Sequence, residues 1–267
     1  MILQQKYKDL KQKLASLESV CIAFSGGVDS TLLLYVAHQV LGDRAMGITL
    51  QASMYSKREM EEAKEFVKKI GVKHLFIDAD EYNIPEFVEN DKERCYYCKK
   101  AIFTNIRNVA TEYKMNYVAD GTIADDVFDY RPGMRALKEL GVISPLKAVG
   151  LTKVEVRALS KQLNLPTWGK PSMACLASRI PYGVKITPQR LALVEKGESY
   201  LFDHGFTQFR VRYHHDIARI EIIPEEEARF LSPDFKTQTI AYFKEIGFTY
   251  VVLDLGGYRV GSMNEVL

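Results

Sequence analysis

The sequence predicts an α/β protein built on a doubly wound parallel sheet, with a small α+β unit at its C-terminal end. Short apolar runs at residues 20–24, 45–50, 74–77 and 117–119 alternate with segments of helix length. This alternation is typical of a parallel sheet with helices on both faces, where ligands bind at the carboxyl ends of the strands. Beyond residue 188 the pattern changes to a helix, a hairpin, more helix and a last strand.

The most informative stretch joins the first strand to the first long helix of the sheet. After the apolar run at 20–24 it reads Ser25-Gly26-Gly27-Val28-Asp29-Ser30. Two glycines allow a sharp turn with positive φ and let backbone amides approach an anion closely. The unpaired amides and the dipole of the following helix then favour a phosphate. The alternative to a phosphate site is an ordinary strand-turn-helix connection in which a serine caps the helix.

This loop differs from the Walker pattern, which has a lysine after its second glycine. Here Asp29 stands at the helix start, where a carboxylate can hold Mg²⁺ beside phosphates, and the hydroxyls of Ser25 and Ser30 can donate hydrogen bonds. Asp120-Gly121 follows the fourth predicted strand at the same edge of the sheet. Asp125 and Asp126 follow a few residues later in the sequence. The three carboxylates either lie near ATP or its metal, or are ordinary turn residues.

Helix limits are marked by capping signals. Ser56 with Glu59, and Thr152 with Glu155, match the S/T-x-x-E capping box, and Gly71 is placed to end the first of these helices.

Length and composition predict one sizeable core with a smaller appended domain. The chain has 267 residues, of which 47% are hydrophobic and 26% charged. We predict a nucleotide-binding domain at residues 1–170, a Pro/Gly-rich junction at 171–188 that carries Cys175, and a small α+β domain at 189–267 for substrate binding or oligomerisation.

Charge and hydropathy exclude several partners. The net charge of +2, from 36 basic and 34 acidic side chains, gives no overall reason to expect nucleic acid. No apolar run approaches the roughly 20 residues that span a bilayer, and the N-terminus lacks a signal-peptide layout. We therefore expect a cytoplasmic protein with free thiols, since four cysteines in a chain of this length make no disulfide framework.

Three cysteines are candidates for chemistry. Cys95 and Cys98 form a C-x-x-C pair at a predicted helix start, where the helix dipole favours the thiolate that binds metals. Cys175 lies in a loop close to Arg179, whose charge also favours a thiolate. Together the three can hold three irons of a [4Fe–4S] cluster and leave the fourth iron open for an added sulfide. Cys21, inside the first strand, is a packing residue.

Two alternatives stay open for these cysteines. The C-x-x-C pair can be two part-buried structural thiols. Zinc can also use the three cysteines with a histidine as fourth ligand. The histidines available for that role are His74, His204, His214 and His215.

The C-terminal part carries an anion-binding pattern. Arg210 and Arg212 are two residues apart on a predicted strand, so both guanidinium groups point the same way and can grip one phosphate or carboxylate. An exposed basic edge is the structural alternative. Glu198 on the preceding helix is a partner for these arginines or a site residue. Arg131 and Lys147 are weaker phosphate candidates.

With these motifs in view, the chain resembles the LarE family of PP-loop ATP pyrophosphatases from about residue 19 to residue 264. The strongest matching segments are Ser25–Ser30, which is the general PP-loop signature, and Asp129-Tyr130-Arg131-Pro132-Gly133. Three further segments are not general PP-loop features and make the match specific. These are Cys175 with Ser178-Arg179-Ile180-Pro181-Tyr182-Gly183, Arg210-Val211-Arg212-Tyr213-His214, and Leu253-Asp254-Leu255-Gly256-Gly257-Tyr258-Arg259.

The resemblance implies a sulfur-insertion step in the synthesis of the nickel-pincer nucleotide, the cofactor of lactate racemase. ATP with Mg²⁺ would adenylylate a carboxylate of pyridinium-3,5-biscarboxylic acid mononucleotide, and a sulfur species would displace AMP to give a thiocarboxylate. The nucleotide would bind at Ser25, Gly26, Gly27, Asp29, Ser30, Asp120 and Gly121. The substrate would bind at Ser178, Arg179, Glu198, Arg210 and Arg212. The family also suggests a homo-oligomer such as a hexamer.

The resemblance leaves two sulfur sources. Some members have only the cysteine matching Cys175 and sacrifice its sulfur, which leaves dehydroalanine. Cys95 and Cys98 resemble the subgroup in which three cysteines hold a [4Fe–4S] cluster that delivers sulfide, and we favour that subgroup. The rival classes are a PP-loop tRNA thiolation enzyme, an amide-forming enzyme and a non-enzymatic nucleotide or metal sensor. The absence of a Lys/Arg-rich tract disfavours the first of these.

Overall fold

The computed structural model describes residues 2–128, 132–171 and 174–265. The chain divides into two compact units, residues 1–87 with 93–173, and residues 88–92 with 174–267. The domain limits predicted from the sequence, with a junction at 171–188, stay a prediction. No helix in the described residues combines the length and the apolar character needed to cross a bilayer.

The first unit is a parallel sheet flanked by helices. Its strands are β1 (Val20–Ala23), β2 (Ala45–Gln51), β3 (Lys73–Asp78) and β4 (Tyr117–Ala119). The helices of this part of the chain are α1 (Ile2–Ala15), α2 (Val28–Leu41), α3 (Lys57–Ile70), α4 (Pro85–Val88), α5 (Arg94–Glu112), α6 (Gly133–Glu139), α7 (Pro145–Ala148) and α8 (Lys153–Gln162).

The strand order β3-β2-β1-β4 gives the sheet a topological switch point. Every neighbouring pair is parallel, with β2 and β3 on one side of β1 and β4 on the other. The chain therefore proceeds from β1 outward through β2 to β3, and then returns to add β4 on the opposite side of β1. The switch point lies between the neighbouring strands β1 and β4. A crevice for ligands opens at the carboxyl ends of two such strands. This arrangement confirms the predicted fold class.

Strand β1 is buried on both faces, as its apolar run predicts. Val20 and Ile22 pack against apolar side chains of α1, α2 and α8 on one face. Cys21 points to the other face, where it packs with Phe103 and Ile106 of α5. Burial raises the pKa of the Cys21 thiol to about 12, so the thiol stays protonated and inert. Its predicted packing role is confirmed.

The two predicted capping boxes have different outcomes. At α8 the Thr152 hydroxyl accepts from the Glu155 amide, and the Glu155 carboxylate accepts from the Thr152 amide, so the box is complete. At α3 the prediction is wrong, since Ser56 is the N-cap residue but its side chain makes no capping hydrogen bond. Glu59 instead lies 3.7 Å from the Lys170 Nζ. Gly71 ends α3 in the left-handed conformation, as predicted.

The second unit is a small α+β unit with a mixed sheet. Its strands are β5 (Phe209–His214), β6 (Ile217–Ile222) and β7 (Tyr250–Leu253), and its helices are α9 (Pro188–Asp203), α10 (Pro224–Phe230) and α11 (Pro233–Ile246). β5 and β6 form the predicted antiparallel hairpin, and β7 pairs parallel to β6. The single helical region predicted at 224–246 is two helices, because Pro233 holds Ser232 in an extended conformation.

A short segment from far upstream belongs to this second unit. Asn90 is fully buried and adopts a left-handed conformation, with φ of 58°. Its side-chain amide donates to the carbonyl oxygens of Ile180, Pro181 and Val184, at 3.2, 2.6 and 3.1 Å. The Pro/Gly-rich stretch after Cys175 is thus held in place by one asparagine about 90 residues earlier in the chain.

The capping difference between α8 and α3 is testable. Thr152→Ala removes a formed capping box, so we expect it to lower the free energy of unfolding by about 1 kcal/mol. Ser56→Ala removes no capping hydrogen bond and should change it by less than about 0.5 kcal/mol. Urea unfolding followed by circular dichroism measures both variants, and equal losses would contradict the assignment of the caps.

Candidate active site

The loop after β1 turns at Gly26. Its φ is +72°, in the region that disfavours residues with a Cβ, and an ideal Cβ there would lie 3.1 Å from the Ala63 Cβ. Gly27 has a φ of −78° and is the N-cap residue of α2, so of the two glycines only Gly26 uses a positive φ. A glycine at the N-cap has no side chain to cap the helix, and the amides of the first turn face the loop.

The two serines of the loop hold the turn closed. Ser25 Oγ and Ser30 Oγ lie 3.1 Å apart, and the Ser25 amide donates to Ser30 Oγ at 3.2 Å. Ser30 Oγ is also within 3.2 Å of the Gly27 carbonyl oxygen. These hydroxyls therefore lie at the mouth of the turn, where the sequence predicts nucleotide contacts.

The loop after β4 meets the loop after β1. An ideal Cβ on Gly121 would lie 3.0 Å from the Ser30 amide nitrogen, so the close approach of the two backbones requires a glycine. Asp120 is buried and accepts hydrogen bonds from the hydroxyls of Thr122 and Ser144, the latter at 2.6 Å. The structure therefore places Asp120 and Gly121 beside the loop, with the Asp120 carboxylate ordering its own turn. Contact of either residue with ATP stays a prediction.

Asp29 is the carboxylate of this site. Its Oδ2 lies 2.5 Å from the Lys153 Nζ, while its Oδ1 is buried with no hydrogen-bond partner in the described residues. Burial raises the pKa of Asp29 above its ordinary value and outweighs the opposing effect of Lys153. An unsatisfied carboxylate oxygen at the mouth of this loop is suited to an Mg²⁺ ligand, and binding of Mg²⁺ by Asp29 stays a prediction.

Two lysines near the loop were not singled out from the sequence. Lys153 is the first residue of α8, directly after its capping threonine. Lys170 Nζ lies 3.3 Å from the Gly26 carbonyl oxygen and 2.7 Å from Glu62 Oε2. The cap pattern places Lys153 at a helix start, but no local signal places it opposite Asp29.

In the second unit the predicted substrate residue Arg179 is fully buried. Its Nε and Nη2 donate to the two carboxylate oxygens of Glu198, at 2.8 and 3.0 Å. Its Nη1 donates to the carbonyl oxygens of Ala174 and Cys175 and to Ser178 Oγ. Arg179 therefore orders the backbone on both sides of the candidate sulfur-bearing cysteine. A role for Arg179 or Ser178 in substrate binding stays a prediction.

From the sequence, Glu198 is either an ion-pair partner of the arginines or a site residue. The structure shows it as the partner of Arg179. It also accepts from the Val211 amide, at 3.2 Å, which ties α9 to β5. Burial raises the pKa of Glu198, but Arg179 and Arg210 outweigh burial and hold it below its ordinary value. The carboxylate is therefore ionised inside the unit. Contact of Glu198 with substrate stays a prediction.

Arg210 and Arg212 are buried on one face of β5, which agrees with their spacing. Arg212 donates to both carboxylate oxygens of Glu221, at 3.0 and 2.8 Å, and to Ser262 Oγ at 2.8 Å. Arg210 lies with its guanidinium carbon 5.0 Å from the Tyr258 ring centroid and donates to that hydroxyl at 3.3 Å. Burial and then the nearby Arg179 lower the pKa of Arg210. An exposed basic edge is thus excluded for these two arginines, while their predicted role in binding substrate stays a prediction.

The three candidate cysteines have different environments. Cys95 is exposed on the first turn of α5, with its Sγ 4.0 Å from an Arg94 guanidinium nitrogen. Cys98 is buried, with its Sγ 3.8 Å from the Met54 Sδ. Cys175 is half-buried and caps a short 3₁₀ turn at Leu176–Arg179. No group of three or more His, Cys, Asp or Glu is gathered for a metal ion within the described residues.

Helix α5 is fixed beside Cys95 by an aromatic and ionic cluster. The Tyr96 hydroxyl donates to Glu139 at 2.8 Å, and the Arg135 guanidinium lies 3.9 Å from the Tyr96 ring centroid. An ideal Cβ on Gly133 would lie 3.1 Å from the Cys95 carbonyl oxygen, so α6 begins directly against the cysteine turn. The residues before it, Asp129-Tyr130-Arg131, lie outside the described residues, and so does the phosphate candidate Arg131.

Two of the four histidines of the zinc alternative, His74 and His204, have polar partners other than cysteine. His74 Nε2 lies 2.8 Å from Thr49 Oγ1, and burial lowers the pKa of His74 to about 4. His204 Nδ1 lies 2.8 Å from the Tyr200 carbonyl oxygen. His214 ends β5, with a pKa lowered by burial, and His215 forms the hairpin turn with a φ of 58°. In the described part of the chain none of them joins cysteines in a zinc site.

The switch-point sheet with its glycine loop defines an ATP-using enzyme of the PP-loop class, whose members use ATP with Mg²⁺. A family model described as NAD synthase matches residues 2–119, which include all four strands of the first sheet. The chain is 41% identical over 266 residues to an uncharacterised protein of Synechocystis sp., covering 100% of this chain and 99% of that protein.

Two further relatives also span nearly the whole chain. Pyridinium-3,5-bisthiocarboxylic acid mononucleotide synthase of Lactiplantibacillus plantarum is 36% identical over 266 residues, covering 99% of this chain and 96% of the synthase. An uncharacterised protein of Methanocaldococcus jannaschii is 30% identical over 251 residues, covering 94% of each chain. The protein described here therefore belongs to the LarE family of PP-loop ATP pyrophosphatases.

The buried pair in the second unit predicts a large effect on stability. Glu198→Gln leaves the Arg179 guanidinium buried without its countercharge, so we expect a loss of about 3–5 kcal/mol in the free energy of unfolding at pH 7. Because the pKa of Glu198 is lowered in the folded protein, this wild-type advantage should shrink as pH falls below about 4. Urea unfolding at several pH values measures both effects.

A matched control lies on the surface of the same unit. Glu265 pairs with Arg259 at 2.6 Å, but its side chain is 56% exposed. Glu265→Gln should leave the unfolding midpoint nearly unchanged, because water screens an exposed pair. A Glu198→Gln variant as stable as the control would contradict the importance of the buried pair.

Proposed function

We propose that this enzyme uses ATP to convert carboxylates of pyridinium-3,5-biscarboxylic acid mononucleotide into thiocarboxylates, for the nickel-pincer nucleotide of lactate racemase. One observation carries the proposal: the full-length identity of 36% to a relative named for the bisthiocarboxylic acid product. The glycine loop at the switch point supports the ATP half of the reaction, and the buried arginines of the second unit support an anionic substrate.

The chemistry explains why ATP is needed. A carboxylate is a poor electrophile, because its leaving group would be oxide. Attack of a carboxylate oxygen on the α-phosphorus breaks the bond to the β-phosphate, releases pyrophosphate and gives an acyl-adenylate. Sulfide then attacks the carbonyl carbon, the bond to the AMP oxygen breaks, and AMP leaves with the bonding electrons. The product is a thiocarboxylate, and the sulfur comes from a sulfide or other sulfur donor.

The first unit would bind and orient ATP. The turn at Gly26 and the amides at the start of α2 would hold phosphate oxygens, with the hydroxyls of Ser25 and Ser30 beside them. Asp29 would hold Mg²⁺, since its Oδ1 is a buried oxygen that lacks a hydrogen-bond partner in the described residues. Mg²⁺, when bound, neutralises phosphate charge and makes pyrophosphate a better leaving group.

The second unit would bind the anionic groups of the substrate. Arg179, Arg210 and Arg212 are buried together with Glu198 and Glu221, and Arg179 and Arg212 pair with these two glutamates. Guanidinium groups bind phosphate and carboxylate through charge-assisted, paired hydrogen bonds, which suits them to the anionic groups of this substrate. Burial already lowers the pKa of Arg210, and an anion there would oppose this effect.

Cysteines would handle the sulfur, with Cys175 as the catalytic residue. Three thiols are the donor type that a [4Fe–4S] cluster takes, and Cys95 and Cys98 are one helical turn apart on α5. The donor types thus fit the cluster that we favour, which when bound would supply an exchangeable sulfide. Sacrifice of the Cys175 sulfur, leaving dehydroalanine, is the alternative. We further propose a cytoplasmic homo-oligomer that binds neither nucleic acid nor membrane.

A product assay tests the proposed reaction. Protein incubated anaerobically with ATP, Mg²⁺, sulfide and the pyridinium biscarboxylate nucleotide should form AMP and pyrophosphate in equal amounts, together with a product in which sulfur replaces oxygen by mass spectrometry. Asp29→Asn should lower kcat/KM for AMP formation by about 100-fold, because it weakens the hold on the Mg²⁺ that would neutralise the phosphates. AMP formation with bulk tRNA, and none with the pyridinium nucleotide, would contradict the proposal.

A second experiment separates the two sulfur sources. Protein purified without air should be brown and contain iron and acid-labile sulfide, and Cys95→Ala or Cys98→Ala should lose the iron. Cys21→Ala is the matched control, because Cys21 packs in the core and should leave the iron content unchanged. A colourless, iron-free protein in which each molecule turns over once and loses the sulfur atom of Cys175 would instead establish the sacrificial reaction.

A further inference from the structure

The Asp29 carboxylate already has a cation beside it, contributed by a helix far along the chain. We propose that the Lys153 ammonium pairs with the Asp29 carboxylate in the nucleotide-free enzyme. When ATP and metal bind, the Lys153 side chain moves and its ammonium pairs with the phosphates instead. Lys153 would thereby couple metal binding to nucleotide binding as a positioning residue. This inference rests on the ATP half of the proposed function and is independent of the sulfur acceptor.

The contact itself is short but accessible. Lys153 Nζ lies 2.5 Å from Asp29 Oδ2, and the two side chains are 32% and 24% exposed. The other oxygen, Asp29 Oδ1, is buried and has no hydrogen-bond partner in the described residues. One ammonium thus leaves half of the carboxylate unsatisfied. A lysine ammonium on a flexible stem can move to another anion without a change of backbone.

The backbone of Lys153 is fixed from several sides. Its amide donates to Asp125 Oδ2 at 2.6 Å, and it follows the capping box of Thr152 and Glu155. Lys6 Nζ holds this cap in turn, at 2.7 Å from Glu155 and 2.7 Å from the Gly150 carbonyl oxygen. The side chain of Lys153 is therefore the part of this contact that is able to move.

Other cations near the loop have different tasks. The Arg157 guanidinium donates to the carbonyl oxygens of Trp168 and Lys170, both at 2.7 Å. Lys170 is held by Glu62 and the Gly26 carbonyl oxygen. Their partners are structural, whereas the partner of Lys153 is the carboxylate that Mg²⁺ would need.

The charges of these groups predict how metal and nucleotide affect each other's binding. Without nucleotide, a metal ion at Asp29 is repelled by the ammonium on the same carboxylate, so metal alone binds weakly. With a triphosphate present, the ammonium has a new anionic partner and Asp29 is released to the metal. Each ligand therefore increases the affinity of the other by the same factor, and such coupling factors are typically about 5- to 150-fold.

Binding measurements on Lys153→Met test this role without relying on activity. The probes are Mn²⁺, followed by electron paramagnetic resonance, and α,β-methylene-ATP, which resists cleavage, followed by calorimetry. The variant should bind Mn²⁺ alone about tenfold more tightly and show a coupling factor about tenfold smaller than wild type. Its affinity for α,β-methylene-ATP should fall more in the presence of Mn²⁺ than in its absence.

Lys161→Met is the matched control, because Lys161 is an exposed residue of the same helix that lies over the Trp168 ring. It should behave as wild type. Lys153→Arg keeps the positive charge and should retain most of the coupling between metal and nucleotide. If the Lys153→Met protein does not fold, the same titrations are made on Lys153→Gln. Unchanged Mn²⁺ affinity and unchanged coupling in a folded Lys153 variant would overturn the role of Lys153. A wild-type protein that binds no nucleotide would instead overturn the ATP site.

Discussion

The left-handed turn at Gly26 is the constraint on which the nucleotide end of the first unit depends. It lets β1 stop and α2 start within a few residues, with the Ala63 Cβ only 3.1 Å from where a side chain would begin. The loop after β4 then packs against the same turn, and a second glycine, Gly121, permits that contact. Helix amides, hydroxyls and the Asp29 carboxylate are thereby gathered at one switch point.

The second unit depends on buried charge. Two bidentate arginine–glutamate pairs, Arg179 with Glu198 and Arg212 with Glu221, lie almost wholly out of water. Such pairs seldom add net stability, because the desolvation penalty offsets the attraction. Their effect here is positional: Arg179 binds the carbonyl oxygen of Cys175, and Arg212 binds that of Ser178, at 3.1 and 3.2 Å. The cysteine segment is thereby held by two of the arginines that the sequence predicts to bind substrate.

The family comparisons cover different parts of the chain. The NAD synthase model ends at residue 119, the last residue of β4, so it matches the parallel sheet and the helices up to α5, which carries Cys95 and Cys98. The relatives that cover the whole chain also cover the buried arginines and the cysteines. ATP use is thus common to a broad class. The residues beyond 119 add Cys175 and the buried arginines, whereas Cys95 and Cys98 lie within the matched range.

The sequence by itself determined the local features: the strands of both sheets, the glycine loop, the caps at Thr152 and Gly71, and the hairpin at β5 and β6. These depend on periodicity and turn chemistry within a few residues, which a single chain displays directly. The tertiary structure alone decided which side chains meet across long separations. Lys153 lies beside Asp29 from 124 residues away, and Asn90 reaches Pro181, in the segment after Cys175, from 91 residues away. Ser56 shows the same limit, because the glutamate of its expected capping box lies beside Lys170 instead. Such partners are chosen by the packing of whole elements, and packing leaves no pattern in the local sequence.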